Sequence, residues 1–215
     1  MKNQQISLAS IFTIIIFFTL ICMPDGVLAQ TIKIGKQTWE TKNLNVSKFR
    51  NGDPIMEANT EEEWENANKA EKPAWCYYLN STRNGAFFGK LYNWFAVHDS
   101  RGLAPAGWHI PSDKEWVRLT NFLGGEKVAG GKMKSTESWV ENGNGTNESG
   151  FTGLAGGLCY EHGTFDGGSS FTYWWSSTEI DKSQAMSLRL GYDSDEINHS
   201  EREKRNGYYV RCLKN

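Results

Sequence analysis

Four histidines, two closely spaced carboxylates, a double serine and a handful of cysteines are the groups in this 215-residue chain that could do chemistry. A helical metal pair needs imidazoles four residues apart, so that both project from one face. His98, His109, His162 and His199 lack that spacing and read as surface or packing residues. Asp113 and Glu115 could serve as the paired carboxylates of glycoside hydrolysis. Both, however, fall in the first turn of an expected helix, where capping and the helix dipole already account for them. A serine nucleophile on a strand-to-helix turn asks for Gly-x-Ser-x-Gly, and Gly167-Gly168-Ser169-Ser170 does not supply it. The residue types therefore point away from catalysis and towards binding.

The strongest binding signal is Phe171-Thr172-Tyr173-Trp174-Trp175. Alternation along a strand sends Phe171, Tyr173 and Trp175 to one face and Trp174 to the other. Tyr173, Trp174 and Trp175 are thus candidates to stack on sugar rings or pack against a protein, with burial in a thin core as the alternative. Two oxygen-rich stretches, Asn142 to Glu148 and Asp193 to Glu196, could hold a calcium ion; turn chemistry explains the first and a solvated edge the second. No other cofactor is implied. Net charge is -2 with no basic stripe to follow phosphates, which argues against a nucleic-acid partner.

Flanking signals say what must position these groups. Thr31-Ile32-Lys33-Ile34 and Gln37-Thr38-Trp39-Glu40-Thr41 alternate around Gly35-Lys36, which predicts a hairpin with Ile32, Ile34 and Trp39 inward. Thr60 with Glu63 opens a polar helix running to about Glu71, with Trp64 and Ala67 buried. Ser112 with Glu115 opens a second, whose stripe of Trp116, Leu119 and Leu123 stops at Gly124-Gly125; Trp108 and Trp116 are expected in the core. Lys90 to Val97 is helix-compatible, and Phe171 to Ser176, Met186 to Leu190 and Tyr208 to Leu213 read as strands. Helices first and strands later imply an α+β fold.

The start of the chain reads as an export signal: Lys2, then an apolar run from Ile11 to Met23, then Val27-Leu28-Ala29 with cleavage between Ala29 and Gln30. That run is shorter than the ~20 apolar residues that cross a bilayer, so no membrane span is expected after processing. Residues 1–29 are taken as the signal and 30–215 as one secreted or surface-exposed domain. In an oxidising compartment the mature cysteines Cys76, Cys159 and Cys212 allow at most one internal bridge. Cys76 with Cys212 is preferred because each lies in a strand-like aromatic stretch, and the alternative leaves three reduced buried thiols.

Ordered phrases across nearly all of the mature chain carry a resemblance. They are Ile34-Gly35-Lys36-Gln37-Thr38-Trp39, Asn43-Leu44, Pro73-Ala74-Trp75-Cys76-Tyr77-Tyr78, Gly89-Lys90-Leu91-Tyr92-Asn93-Trp94, Ala104 to Trp116, Asn147 to Phe151 and Tyr173 to Thr178. Together they resemble the Fibrobacter succinogenes major paralogous domain, a bacterial secreted module. Family members usually read Tyr-Arg where this chain has Leu158-Cys159, which marks Cys159 as the unpaired thiol.

The Pro-Ser-Asp-x-Glu-Trp helix start also resembles formylglycine-generating and sulfatase-modifying proteins, a variant of the C-type lectin fold. That resemblance implies a twisted antiparallel sheet, two helices and long loops that carry whatever binds. The copper-holding cysteine pair of that enzyme has no counterpart close in sequence, since 83 and 53 residues separate the three cysteines. The calcium motifs of sugar-binding lectins, Glu-Pro-Asn and Gln-Pro-Asp, are missing from the sequence. The expected function is a non-catalytic module for a glycan or cell-surface protein. The rival is an oxidoreductase of the formylglycine-generating type or a degenerate relative.

Overall fold

The computed structural model describes residues 31–215. The expected signal at 1–29 and the cleavage site at Ala29 and Gln30 lie outside the described residues. Two strands, β1 (Thr31–Ile34) and β2 (Gln37–Glu40), form the expected hairpin with Ile32 opposite Trp39. It turns through Gly35 at φ +60, a conformation that suits glycine. After β3 (Met56–Glu57) comes α1 (Glu61–Lys69), capped by the Thr60 hydroxyl accepting the Glu63 N–H at 3.1 Å. Trp64 and Ala67 are its buried apolar residues, as the spacing predicts.

Lys90 to Val97 is no single helix. It divides into β5 (Leu91–Tyr92), paired with β4 (Ala74–Cys76), and α3 (Trp94–Val97), because the Asn93 side chain caps the new helix by accepting the Ala96 N–H at 3.2 Å. Between them, α2 (Thr82–Phe88) ends at Gly89. Then come β6 (Trp108–His109), α4 (Asp113–Phe122) and α5 (Glu126–Met133). Five α-helices thus stand among the described residues, where the sequence offered two capped helices and a helix-compatible stretch.

The second half supplies β7 (Gly156–Cys159), β8 (Phe165–Gly168), β9 (Phe171–Glu179), β10 (Gln184–Gly191), β11 (Ile197–Glu203) and β12 (Leu213–Lys214). The largest sheet has the order β11-β10-β9-β7-β8. Its pairings are antiparallel except β7 with β9, and β3 with β4 is also parallel in a smaller sheet. The chain is α+β with mixed sheets. Among the described residues no helix is long and apolar enough to cross a membrane.

Core packing follows from β9, which is covered on both faces. One cluster gathers Trp39, Trp116, Phe151 and Trp174, with Trp39 and Trp116 centroids 4.6 Å apart and Phe151 and Trp174 at 5.5 Å. The other gathers Tyr92, Tyr173, Trp175 and Tyr208. Trp108, expected in the core, is only half-buried, because two-residue β6 pairs with β12 at the end of the four-stranded sheet β1-β2-β12-β6.

Tyr208 to Leu213, read as one strand, runs between sheets instead. Tyr208 bridges Tyr92, Tyr209 bridges Trp174 and only Leu213 enters β12. No partner strand is continuous with all of them, so the segment stays irregular while its backbone polar groups are satisfied one at a time.

At the start of α4, the Glu115 carboxylate accepts the Ser112 N–H at 2.9 Å and its hydroxyl at 2.8 Å. Burial pushes this carboxyl up, but the Ser112 and His109 hydrogen bonds outweigh it and hold it below the usual glutamate value. The cap's electrostatic contribution is therefore present above pH ~4.3 and is lost as the pH falls through the lowered value. In denaturant melts at neutral pH, Trp116→Ala should cost about 3 to 5 kcal/mol. Ser112→Ala should cost about 1 kcal/mol, and its deficit should shrink on acidification. An unchanged midpoint for Trp116→Ala would contradict the packing of α4.

Candidate functional site

The aromatic platform expected at Tyr173, Trp174 and Trp175 is not at the surface. Trp174 and Trp175 are 0% exposed and Tyr173 8%. The alternation holds, with Trp174 in one core and Tyr173 and Trp175 in the other. Both indole N–H groups are satisfied inside, Trp174 by Asn43 Oδ1 and Trp175 by the Tyr92 carbonyl, each at 2.8 Å. A strand central to a sheet that is covered on both faces has no side left for a ligand.

The cysteine expectation is corrected as well. Cys76, Cys159 and Cys212 are all free and buried. Cys76 does not meet Cys212; its thiol neighbours that of Cys159, which was expected to stand alone. Cys212 lies in the other cluster beside Glu40. Burial pushes the Cys76 and Cys212 thiols well up, so neither ionises readily.

The acidic loop considered for calcium holds an ammonium group. Lys134 is buried, and its Nζ donates to the Ser194 carbonyl at 3.0 Å and the Gly191 carbonyl at 3.3 Å, with Asp195 Oδ1 at 3.5 Å. The Asn142 to Glu148 stretch spends its polar groups on its own turn and its neighbours: Asn144 Oδ1 accepts the Trp139 N–H and Asn147 Oδ1 the Thr152 N–H.

What does face outward is a groove of about 380 Å³ between the end of α2 and the strap Thr41 to Asn45, closed on the far side by Glu137, Thr152 and Leu154. It continues across Arg83 and Phe87. Phe87 is 55% exposed, and its ring meets Phe88 edge-on at 4.9 Å. Two amides fasten the helix end to the strap: Asn43 Nδ2 donates to the Phe88 carbonyl at 2.8 Å and Asn45 Nδ2 to the Gly85 carbonyl at 3.4 Å. The Phe88 carbonyl is one that a helix terminus leaves without an intrahelical partner, whereas the Gly85 carbonyl also accepts the Gly89 N–H at 3.0 Å. Gly89, at φ +84, lets the strap approach, since a Cβ there would lie 3.0 Å from the Leu44 carbonyl oxygen.

A sequence profile of the Fibrobacter succinogenes major domain matches residues 32–214. The chain belongs to that family. No curated protein and no solved structure matches it. The match runs from β1 to β12, so both walls of the groove belong to the Fibrobacter succinogenes major domain itself.

Two buried cations underlie the groove in this family member. The Arg211 guanidinium is 1% exposed. Its Nε and Nη2 donate to Asn43 Oδ1 at 3.1 and 2.9 Å, and Nη1 donates to the carbonyls of Phe151 at 2.6 Å and Glu40 at 3.1 Å. Burial pulls its pKa down to about 9, opposed by the Glu40 carboxylate and Cys212. The Lys90 ammonium donates to Asn45 Oδ1 at 3.0 Å, to the Asn45 carbonyl at 3.1 Å and to the Tyr77 hydroxyl at 3.2 Å, and lies 4.1 Å over the Trp75 ring. Glu40 is raised by burial, with Cys212 and Arg211 pulling it back.

His199 links Asp113 Oδ1 at 2.9 Å to the Thr120 hydroxyl at 3.4 Å, an order that mimics a nucleophile relay. Thr120 is buried, so the chain of contacts ties α4 to β11 rather than presenting a hydroxyl to substrate. Among the described residues no group of three His, Cys, Asp or Glu is arranged to hold a metal ion.

The sequence reading passed over Asn43, Asn45, Phe87 and Phe88 as site residues. A signal was present in Gly85-Ala86-Phe87-Phe88-Gly89, since adjacent phenylalanines on a short helix between glycines cannot both face inward. Arg211→Met should cost about 3 to 5 kcal/mol in denaturant melts, because the Phe151 and Glu40 carbonyls lose their charged donor and Asn43 Oδ1 is left with the Trp174 N–H. Glu40 has a raised folded pKa, so its favourable contribution is present below pH ~4.3 and lost as the pH rises through the folded value. Stability of Glu40→Gln relative to the parent should therefore climb from pH 4 towards neutrality; a flat difference would remove the burial argument.

Proposed function

We propose that this protein is an exported, non-catalytic binding module of C-type-lectin-like architecture and that its ligand is a glycan bound along the Phe87 groove. The observation that carries the reading is the exposed Phe87 ring beside amide, hydroxyl and charged side chains of Asn43, Asn45, Thr152, Lys42 and Glu137. A sugar presents a flat apolar face and a rim of hydroxyls, and such a site offers both a ring to stack on and fixed polar partners. The groove is pre-formed, because Asn43 and Asn45 are locked by the helix carbonyls and the buried cations. A central sheet that is antiparallel but for β7 with β9, together with the long connections 98–107 and 134–155, supports the lectin-like architecture. The apolar run before Ala29-Gln30 supports export.

One observation favours an oxidoreductase of the formylglycine-generating type instead: the neighbouring Cys76 and Cys159 thiols, since soft thiolates select Cu(I). Their complete burial weighs against substrate access. Stoichiometric Cu(I) uptake that disappears in Cys76→Ser and Cys159→Ser would move the assignment to this reading.

A screen of neutral and charged polysaccharides should find a ligand whose affinity drops about tenfold or more in Phe87→Ala, equivalent to ~1.4 kcal/mol. The melting temperature should be unchanged because the ring is exposed. Undiminished binding by this variant would place the ligand elsewhere.

A further inference from the structure

The tip of the β1–β2 hairpin and the last turn of α4 enclose a second groove of about 650 Å³, which shares no lining residue with the Phe87 groove. Its aromatic is Phe122, the most exposed large apolar residue described, at 64%. The ring lies over Gly35, where an added Cβ would come within 2.8 Å of ring carbon Cδ2. The charged residues lining this groove are Lys33, Lys36 and Arg118, and no carboxylate is among the lining residues. Among the described residues none of these three forms an ion pair or a side-chain hydrogen bond. Lys114, exposed one turn before Arg118 on α4, extends the same strip.

We propose that this groove is a binding site for an acidic polysaccharide: Phe122 stacks on a sugar ring, and Lys33, Lys36 and Arg118 pair with the carboxylates of uronate residues along the polymer. Three unpaired cations around an aromatic complement a ligand that alternates flat rings with negative charge. Arginine adds a planar fork that fits a carboxylate in two-point contact. The surface is concave with a single aromatic, which admits a chain and lacks the broad apolar face that inserts into a bilayer. A net charge of -2 gives no general attraction for polyanions, so any affinity must be local to this groove.

The test uses the full exported protein with polygalacturonate as probe, carboxyl-reduced polymer as its neutral control and phosphatidylglycerol vesicles as a third arm. Affinity for polygalacturonate should fall about tenfold or more in Arg118→Glu and in Phe122→Ala, persist in Phe122→Trp, and weaken with added salt. Phe87→Ala should bind polygalacturonate like the parent, which separates this site from the Phe87 groove. Equal affinity for the carboxyl-reduced polymer would overturn the proposal. So would salt-sensitive binding that ignores Phe122→Ala, which is mere ion exchange, or vesicle binding without polygalacturonate binding.

Discussion

Burial of the Arg211 guanidinium is the constraint around which this domain is organised. A charge held in the core is tolerated only where every donor finds an acceptor. Here those acceptors are the Asn43 side chain and the Phe151 and Glu40 carbonyls, which come from separate parts of the chain. The aromatic faces of Phe151, 4.3 Å from the guanidinium carbon, and Trp174 complete the shell. Satisfying one residue therefore requires the hairpin, the strap, the long connection before β7 and the central strand β9 to be in place together.

The backbone around Arg211 does the same work for the sheets. Gly207 pairs with Cys159, Tyr208 with Tyr92, Tyr209 with Trp174, and the Val210 and Cys212 carbonyls accept from Leu44 and Glu40. A few residues at the end of the chain thus join β7, β5, β9, the strap and β2, all of them distant in sequence. Such pairing is slow to find and contributes only when nearly everything else is formed. The groove on the strap inherits its rigidity from this arrangement. Asn43, which accepts from Arg211 and Trp174, also donates to the end of α2, so the floor of the groove and the core share one side chain.

Local rules made much of this legible in advance. The hairpin at Gly35, the caps at Thr60 and Ser112, the stripe of Trp116, Leu119 and Leu123 and the two-faced alternation of Tyr173, Trp174 and Trp175 are all set by contacts within a few residues. α2 and α5 escaped notice because both are short and α5 carries two glycines, so no apolar stripe announces them. β11 escaped because Ile197 to Glu203 is polar on an edge, where packing does not demand alternation. The cysteine pairing failed for a different reason. Two strand-like neighbourhoods say nothing about which strands come side by side, and β4 meets the β7 region rather than the Cys212 segment.

By itself the sequence determined the α+β class and the start and stop of its main helix, because periodicity, caps and glycine breaks act over one or two turns of chain, and its ordered phrases carried the resemblance to the family. Only the tertiary structure decided what each aromatic is for. Trp174 and Trp175 are as apolar and as flat as any sugar platform, yet the sheet's two covered faces bury them, while Phe87 and Phe122 stand in solvent at the ends of helices. Exposure is a property of what packs against a residue from far along the chain, and no local pattern encodes it. The same is true of Lys134, whose ammonium sits against a loop that, read locally, is either a solvated edge or a place for a calcium ion.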